Sequence, residues 1–185
     1  MNFRSLGEVD IWKLIVGGND DAFAYIYKTY SWDMYKYGHK FTQDSDLIED
    51  VIQDVFVNMW EIRANIFIQR SIKYYLFSVF RREIIKRVNF SYKNESLEEY
   101  HSKIAWEASF QEILEENQIT LESRNRISQA LEHLPVRQKE AIYLRYIQEL
   151  SYDEISDLMG IQIPSLYNLI FKGIKSLKEY LATTN

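Results

Sequence analysis

The chain contains no cysteine, which excludes disulfides and thiolate metal sites. His39, His101 and His133 stand far apart with no carboxylates at ligand spacing, so no metal is expected. Long apolar runs are also missing. The longest, such as Ile11 to Val16, are short and broken by charge, and the N-terminus lacks the basic-then-apolar pattern of a signal peptide. A cytoplasmic protein without membrane insertion is expected. Proline occurs twice and glycine six times, and with helical periodicity across most of the chain this scarcity predicts an all-α fold. Catalytic triads, paired-carboxylate sites and phosphate-cradling glycine loops are absent too, so neither enzyme activity nor a cofactor is expected.

What is present is enough apolar material, 46% of 185 residues, to fill one large core or two small ones. The net charge of −5 looks unsuited to a nucleic-acid binder until it is placed along the chain. Residues 1–90 hold 12 Lys/Arg against 12 Asp/Glu, residues 91–121 hold 2 against 7, and residues 122–185 hold 8 against 8. All the excess acid lies in the middle. Two neutral lobes joined by an acidic connector can still carry basic faces, because local charge and not the total sets the field. The expected organisation is a helical domain over 1–90, a linker over 91–121 with at most one helical segment, and a second helical domain over 122–185.

Apolar side chains at Phe23, Ile26, Tyr27, Tyr30, Met34, Tyr37 and Phe41 recur at three- and four-residue spacing, predicting one helix from Asp20 to Phe41. A shorter helix over about Val9 to Val16 precedes it, ended by Gly17-Gly18. The run Asp46 to Trp60 places Leu47, Val51, Val55 and Met59 on one face and Asp50, Gln53 and Asp54 on the other. That polar patch fits a contact surface and equally a solvated helix face. Ser71 is positioned to cap a helix running through Tyr74, Leu76, Phe77, Phe80 and Ile84 to about Val88. In the second domain Pro135 restarts a helix through Ala141, Ile142 and Tyr146.

Two segments have the chemistry of nucleic-acid binding. From Ser151 to Lys178 a capping box (Ser151 with Glu154), a turn at Gly160 and a small Ser156 four residues before it predict a helix-turn-helix, with an ordinary helical hairpin as the bland alternative. The second helix, with Pro164 in its first turn, would bury Leu166, Ile170, Gly173 and Leu177. It would expose Ser165, Tyr167, Asn168, Phe171, Lys172 and Lys175. Asn168 suits a bidentate pair with adenine, Phe171 a thymine methyl, Lys172 guanine or phosphate, and Lys175 phosphate. The stretch Arg70 to Phe90 interleaves Lys73, Arg81, Arg82, Lys86 and Arg87 with Tyr74, Tyr75, Phe77 and Phe80. Cations with exposed aromatics suit single-stranded or melting DNA, although most of these aromatics also have core spacing. On the residues alone, a conventional helix-turn-helix regulator with a helical sensor or interaction domain remains open.

Taken together, the segments DDAFAYIYKTY (Asp20 to Tyr30), EDVIQDVFVNMW (Glu49 to Trp60) and Leu134 to Leu181 resemble the small two-domain sigma factors of bacterial RNA polymerase, the extracytoplasmic-function (ECF) group. The resemblance implies that the first domain captures and helps melt the minus-ten promoter element while the second reads the minus-thirty-five element. It implies that Asp50, Gln53 and Asp54 contact the β′ clamp helices of core polymerase. It further implies minus-ten contacts by Arg63, Arg70, Lys73, Tyr74, Arg81 and Arg82, with the loop from Arg63 to Arg70 holding a flipped base. The acidic linker would run near the RNA exit path. Members of this group are commonly restrained by an anti-sigma factor, which is therefore an expected partner beside promoter DNA.

Overall fold

The computed structural model describes residues 3–68, 70–91 and 121–183, and every regular element among them is helical. The acidic segment 92–120 lies outside the described residues. Contacts divide the chain into two units, Met1–Glu95 and Ser96–Asn185.

In the first unit, α1 (Glu8–Val16) ends at Gly17, and Gly18 at φ 81° turns the chain where a side chain would be strained. Asn19 then caps α2 (Asp20–Gly38) by accepting the Ala22 N–H at 2.8 Å, and Asp20 and Asp21 favour the positive end of the helix dipole. Helix α2 stops three residues short of the expected Phe41. A tight turn in which Lys40 and Phe41 donate to the carbonyls of Tyr37 and Gly38 folds Phe41 back into the core instead of leaving it on the helical stripe. Asp44 caps α3 (Ser45–Ile62), whose buried face is Ile48, Val51, Ile52, Val55, Phe56 and Met59. Of the expected stripe Val51, Val55 and Met59 are buried, while Leu47 is only half-buried and Ile48 takes its place. A 3-10 turn, Arg63–Asn65, leads towards α4 (Ile72–Ser91). There Ser71 Oγ accepts the Tyr74 N–H at 3.0 Å, and Ile72, Leu76, Phe77, Phe80, Ile84 and Val88 are buried.

The second unit contains α5 (Leu121–Glu132), α6 (Val136–Ile142), α7 (Tyr152–Met159) and α8 (Ile163–Thr183). Pro135 stands just before α6 and not inside it. A π-helical turn, Tyr143–Ile147, follows α6; it leaves Tyr146 exposed and buries Gln148, whose amide donates to the Tyr143 hydroxyl at 3.0 Å. Nothing in a 3.6-residue period announces that turn. Leu166, Ile170 and Gly173 form the buried line of α8, while Leu177 is half-buried. Among the described residues no helix is long and apolar enough to cross a membrane.

The first core leaves no room for a side chain where α2 ends. A Cβ on Gly38 would stand 2.5 Å from Ile48 Cγ2 and 3.1 Å from Phe80 Cζ. Alanine at position 38 should therefore destabilise the protein by about 1–3 kcal/mol through overpacking, although alanine alone favours a helix by about 0.5–1 kcal/mol. Thermal unfolding checks this, and an unchanged or raised midpoint would contradict the close crossing.

Candidate nucleic-acid and polymerase interfaces

Asp50, Gln53 and Asp54 all lie exposed on the side of α3 away from its buried face. Asp54 is ion-paired with Arg87 of α4, so the acidic patch and the basic helix meet at one edge. An open groove between α2 and α3 flanks the patch, lined by Tyr27, Ser31, Trp32, Tyr35, Ile52 and Gln53. Trp32 stacks on Tyr35 with centroids 5.3 Å apart and is over half exposed. The expected stripe had placed Tyr27 inward, but it lies at the exposed edge of α2.

The minus-ten candidates differ in their surroundings. Arg63 is half-buried: its guanidinium lies 4.1 Å from the Trp60 ring centroid and Nη1 donates to the Trp60 carbonyl at 2.5 Å. Its reach outward is limited by these contacts. Arg70 is exposed beside the Tyr74 ring, 5.0 Å from its centroid, and Lys73 lies 6.0 Å over Phe77. Tyr74 and Arg81 are half-exposed; Arg82 is exposed and pairs with Glu83 at 3.5 Å, which also pairs with Lys86. Burial raises the pKa of Tyr75, against the opposing pull of Arg82, and so keeps its hydroxyl protonated. Phe67, which sequence reasoning did not single out, is 82% exposed between the turn and α4. A lone apolar residue in an aperiodic stretch carries no signal of its direction.

In the second unit the reciprocal capping box is formed, with the Ser151 N–H donating to Glu154 Oε2 at 2.9 Å and the Glu154 N–H to Ser151 Oγ at 3.2 Å. Gly160 is left-handed at φ 64°, and the Ser156 hydroxyl donates to the Ile161 carbonyl, so this small side chain also ties the turn to α7. Arg137 donates to the last carbonyl of α7, Met159, at 3.4 Å. Beyond the turn, Ser165, Tyr167, Asn168, Phe171, Lys172 and Lys175 are all exposed on α8. Tyr167 stacks on Tyr152 with centroids 4.2 Å apart, and Arg145 lies over the other ring of that pair, 5.0 Å from the Tyr152 centroid. One face of Tyr167 is thereby occupied. Lys175 pairs with Glu179 one turn later at 3.7 Å, a surface contact that phosphate can displace at little cost.

Residues 26–90 match the family model "Sigma-70 region 2", and residues 124–177 match "Sigma-70, region 4". A curated relative, ECF RNA polymerase sigma factor SigM of Bacillus subtilis (strain 168), is 27% identical over 153 residues, spanning 83% of this chain and 91% of the relative. The chain belongs to the ECF group of the sigma-70 family. This sigma factor is accordingly a non-enzymatic, DNA-binding initiation factor of transcription. Its fold is similar to that of CnrH in complex with the cytosolic domain of CnrY, with a TM-score of 0.62 at 17% identity, covering 96% of this chain and 99% of that one. It is also similar to the sigma factor RpoE in complex with the anti-sigma factor NepR from Bartonella quintana, with a TM-score of 0.58 at 16% identity, covering 88% and 98%.

The different settings of Arg63 and Arg70 separate in experiment. Arg63→Ala should lower the stability of this sigma factor by about 1–3 kcal/mol, because it removes a packed cation and a bond to a backbone carbonyl. Arg70→Ala should stay within about 0.5 kcal/mol of wild type, while reducing the salt slope of single-stranded DNA binding by about 0.7. Chemical denaturation and salt-dependent binding measure the two effects. Equal stability losses would show that the burial of Arg63 has no energetic consequence.

Proposed function

We propose that the three exposed surfaces divide the work of initiation. The polar face of α3, with Asp50, Gln53 and Asp54, docks on the β′ clamp helices of core polymerase. Its flat run of carboxylate and amide groups opposite a fully apolar face supports that role, because such a surface can form charge-assisted bonds without exposing the core. The stretch from Phe67 through Arg82 receives the melted minus-ten strand. Arg70, Lys73, Arg81 and Arg82 hold phosphates, and Tyr74 and the exposed Phe67 offer ring faces to unstacked bases. Arg63 serves this surface by bracing its turn against Trp60.

The observation that carries the promoter-reading assignment is the face of α8 opposite Leu166, Ile170 and Gly173, where Ser165, Asn168, Phe171, Lys172 and Lys175 project immediately after the Gly160 turn. In this arrangement the N-terminal part of α8 enters the major groove at the minus-thirty-five element. Asn168 and Phe171 read bases, and Lys172 and Lys175 neutralise phosphates. Tyr167, held on Tyr152, contributes its hydroxyl edge. The domain boundaries we assign are 1–90 for polymerase and minus-ten binding and 122–185 for minus-thirty-five binding, joined by 91–121. The protein works in the cytoplasm, and the complex of RpoE with NepR supports an anti-sigma factor as a further partner.

Charge reversal on α3 tests the docking surface. Asp50→Arg with Asp54→Arg should leave helicity intact, since both positions are exposed and a surface pair such as Asp54 with Arg87 contributes only about 0–1 kcal/mol. Co-purification with core polymerase should be lost. A folded double variant that still co-purifies would overturn the assignment.

A further inference from the structure

Helix α1 carries no residue of the three surfaces, yet it touches both ends of the connection that bears Phe67. At the near end it packs on the turn Arg63–Asn65, and the left-handed Gly18 just beyond α1 would place a Cβ only 3.7 Å from Arg63 Nη2. At the far end stands Glu8, the first residue of α1. Its Oε2 accepts the backbone N–H of Ile72, the first residue of α4, at 3.0 Å across 64 residues of sequence, while Oε1 accepts the Tyr30 hydroxyl at 3.1 Å.

The N–H groups of a first helical turn have no partner within the helix. Ser71 serves Tyr74, and a carboxylate brought in from another helix serves Ile72, where the helix dipole also favours a negative charge. Tyr30 is a dependable donor to that carboxylate. Burial, followed by the Glu8 charge, pushes its ionisation above the usual tyrosine range. Both oxygens of Glu8 are thus committed, one to α2 and one to the start of α4. The connection between these anchors runs from Ile66 to Ser71, with residue 69 outside the described residues.

We propose that Glu8 is a positioning residue for base capture: by capping α4 from α1 it fixes where that helix begins, and thereby helps hold Phe67 ready to receive an extruded minus-ten base. The inference rests on the reading of that connection as a minus-ten contact. Glu8 itself touches no nucleic acid and acts through the geometry of the connection.

The test uses holoenzyme reconstituted from core polymerase and full-length protein. The probes are a fork-junction promoter DNA with an unpaired minus-ten strand, and matched forks with an abasic site at each unpaired position in turn. Phe67→Ala should weaken binding to the intact fork about tenfold, as loss of a stacking platform does. Glu8→Gln, which keeps the shape but can no longer accept two bonds through charged oxygens, should weaken it about three- to tenfold, in the range of a lost cap. Both losses should vanish on the fork lacking the captured base, and the double variant should be no weaker than Phe67→Ala alone. Tyr30→Phe leaves the bond to Ile72 in place and should have the smaller effect. Should Glu8→Gln fold poorly, Glu8→Asp, charged but too short to span both partners, carries the same comparison. An equal loss for the Glu8 variant on intact and abasic forks would overturn the proposal, as would wild-type binding by that variant while Phe67→Ala is impaired. Wild-type binding by Phe67→Ala would remove the minus-ten reading of the connection and this inference with it.

Discussion

The approach of α2 to α3 and α4 at Tyr37 and Gly38 decides which side chains the first unit shows to its partners. Tyr37 is fully buried, edge-on to Phe41 at 5.0 Å and tilted against Phe77 at 5.4 Å. The next residue has no side chain, which lets Ile48 and Phe80 close on the backbone. With Ile48 pinned inward, the rest of α3 has no rotational freedom. At about 100° per residue, Asp50, Gln53 and Asp54 fall about 200°, 140° and 240° around the helix from Ile48. They face away from the core because Ile48 faces into it. Since interiors are close-packed, a change in that crossing would rotate the polar face as a unit.

The second unit repeats the logic with different residues. A Cβ at Gly173 would lie 2.7 Å from Ile142 Cδ1, so α8 crosses α6 closely and fixes Leu166 and Ile170 as its inward line. The left-handed turn at Gly160, tied by Ser156 and by Arg137 at the end of α7, sets where α8 begins. Together these constraints fix which side chains the first turns of α8 expose. Neither unit needs a net positive charge for this. Acidic residues lie at α2's start, at Glu154 and on α3, and those that pair with the cations of α4 and α8, such as Glu83 and Glu179, do so at the surface.

Features set by local spacing were readable in the sequence. Asp50, Gln53 and Asp54 share a face at i, i+3 and i+4; Ser151 and Glu154 are a capping box; Gly160 is the only residue type that turns there without strain. What escaped depends on contacts between residues distant in sequence. The cap on α4 comes from Glu8, 64 positions earlier, and no window of the sequence joins the two. Arg63 reads as a cation available to DNA until Trp60 and the Gly17-Gly18 turn are seen beside it. Tyr167 reads as a free aromatic, and its stacking on Tyr152 appears only once α7 and α8 are folded together. On α3 the expected Val51, Val55 and Met59 are buried, but Ile48 takes the inward place expected of Leu47, because the two are equally apolar and only the Gly38 crossing distinguishes them.

On the proposed reading this chain gives core polymerase a promoter choice, and that choice resides on the outward face of α8. Transcription from a library of genomic fragments by core polymerase, alone and with wild-type or Asn168→Ala protein, measures it directly. Transcripts should require the wild-type chain and share an upstream element, with the preference at one or two of its bases lost in the variant while polymerase binding is retained. Identical transcripts with and without the chain, or an unaltered preference in the variant, would contradict it.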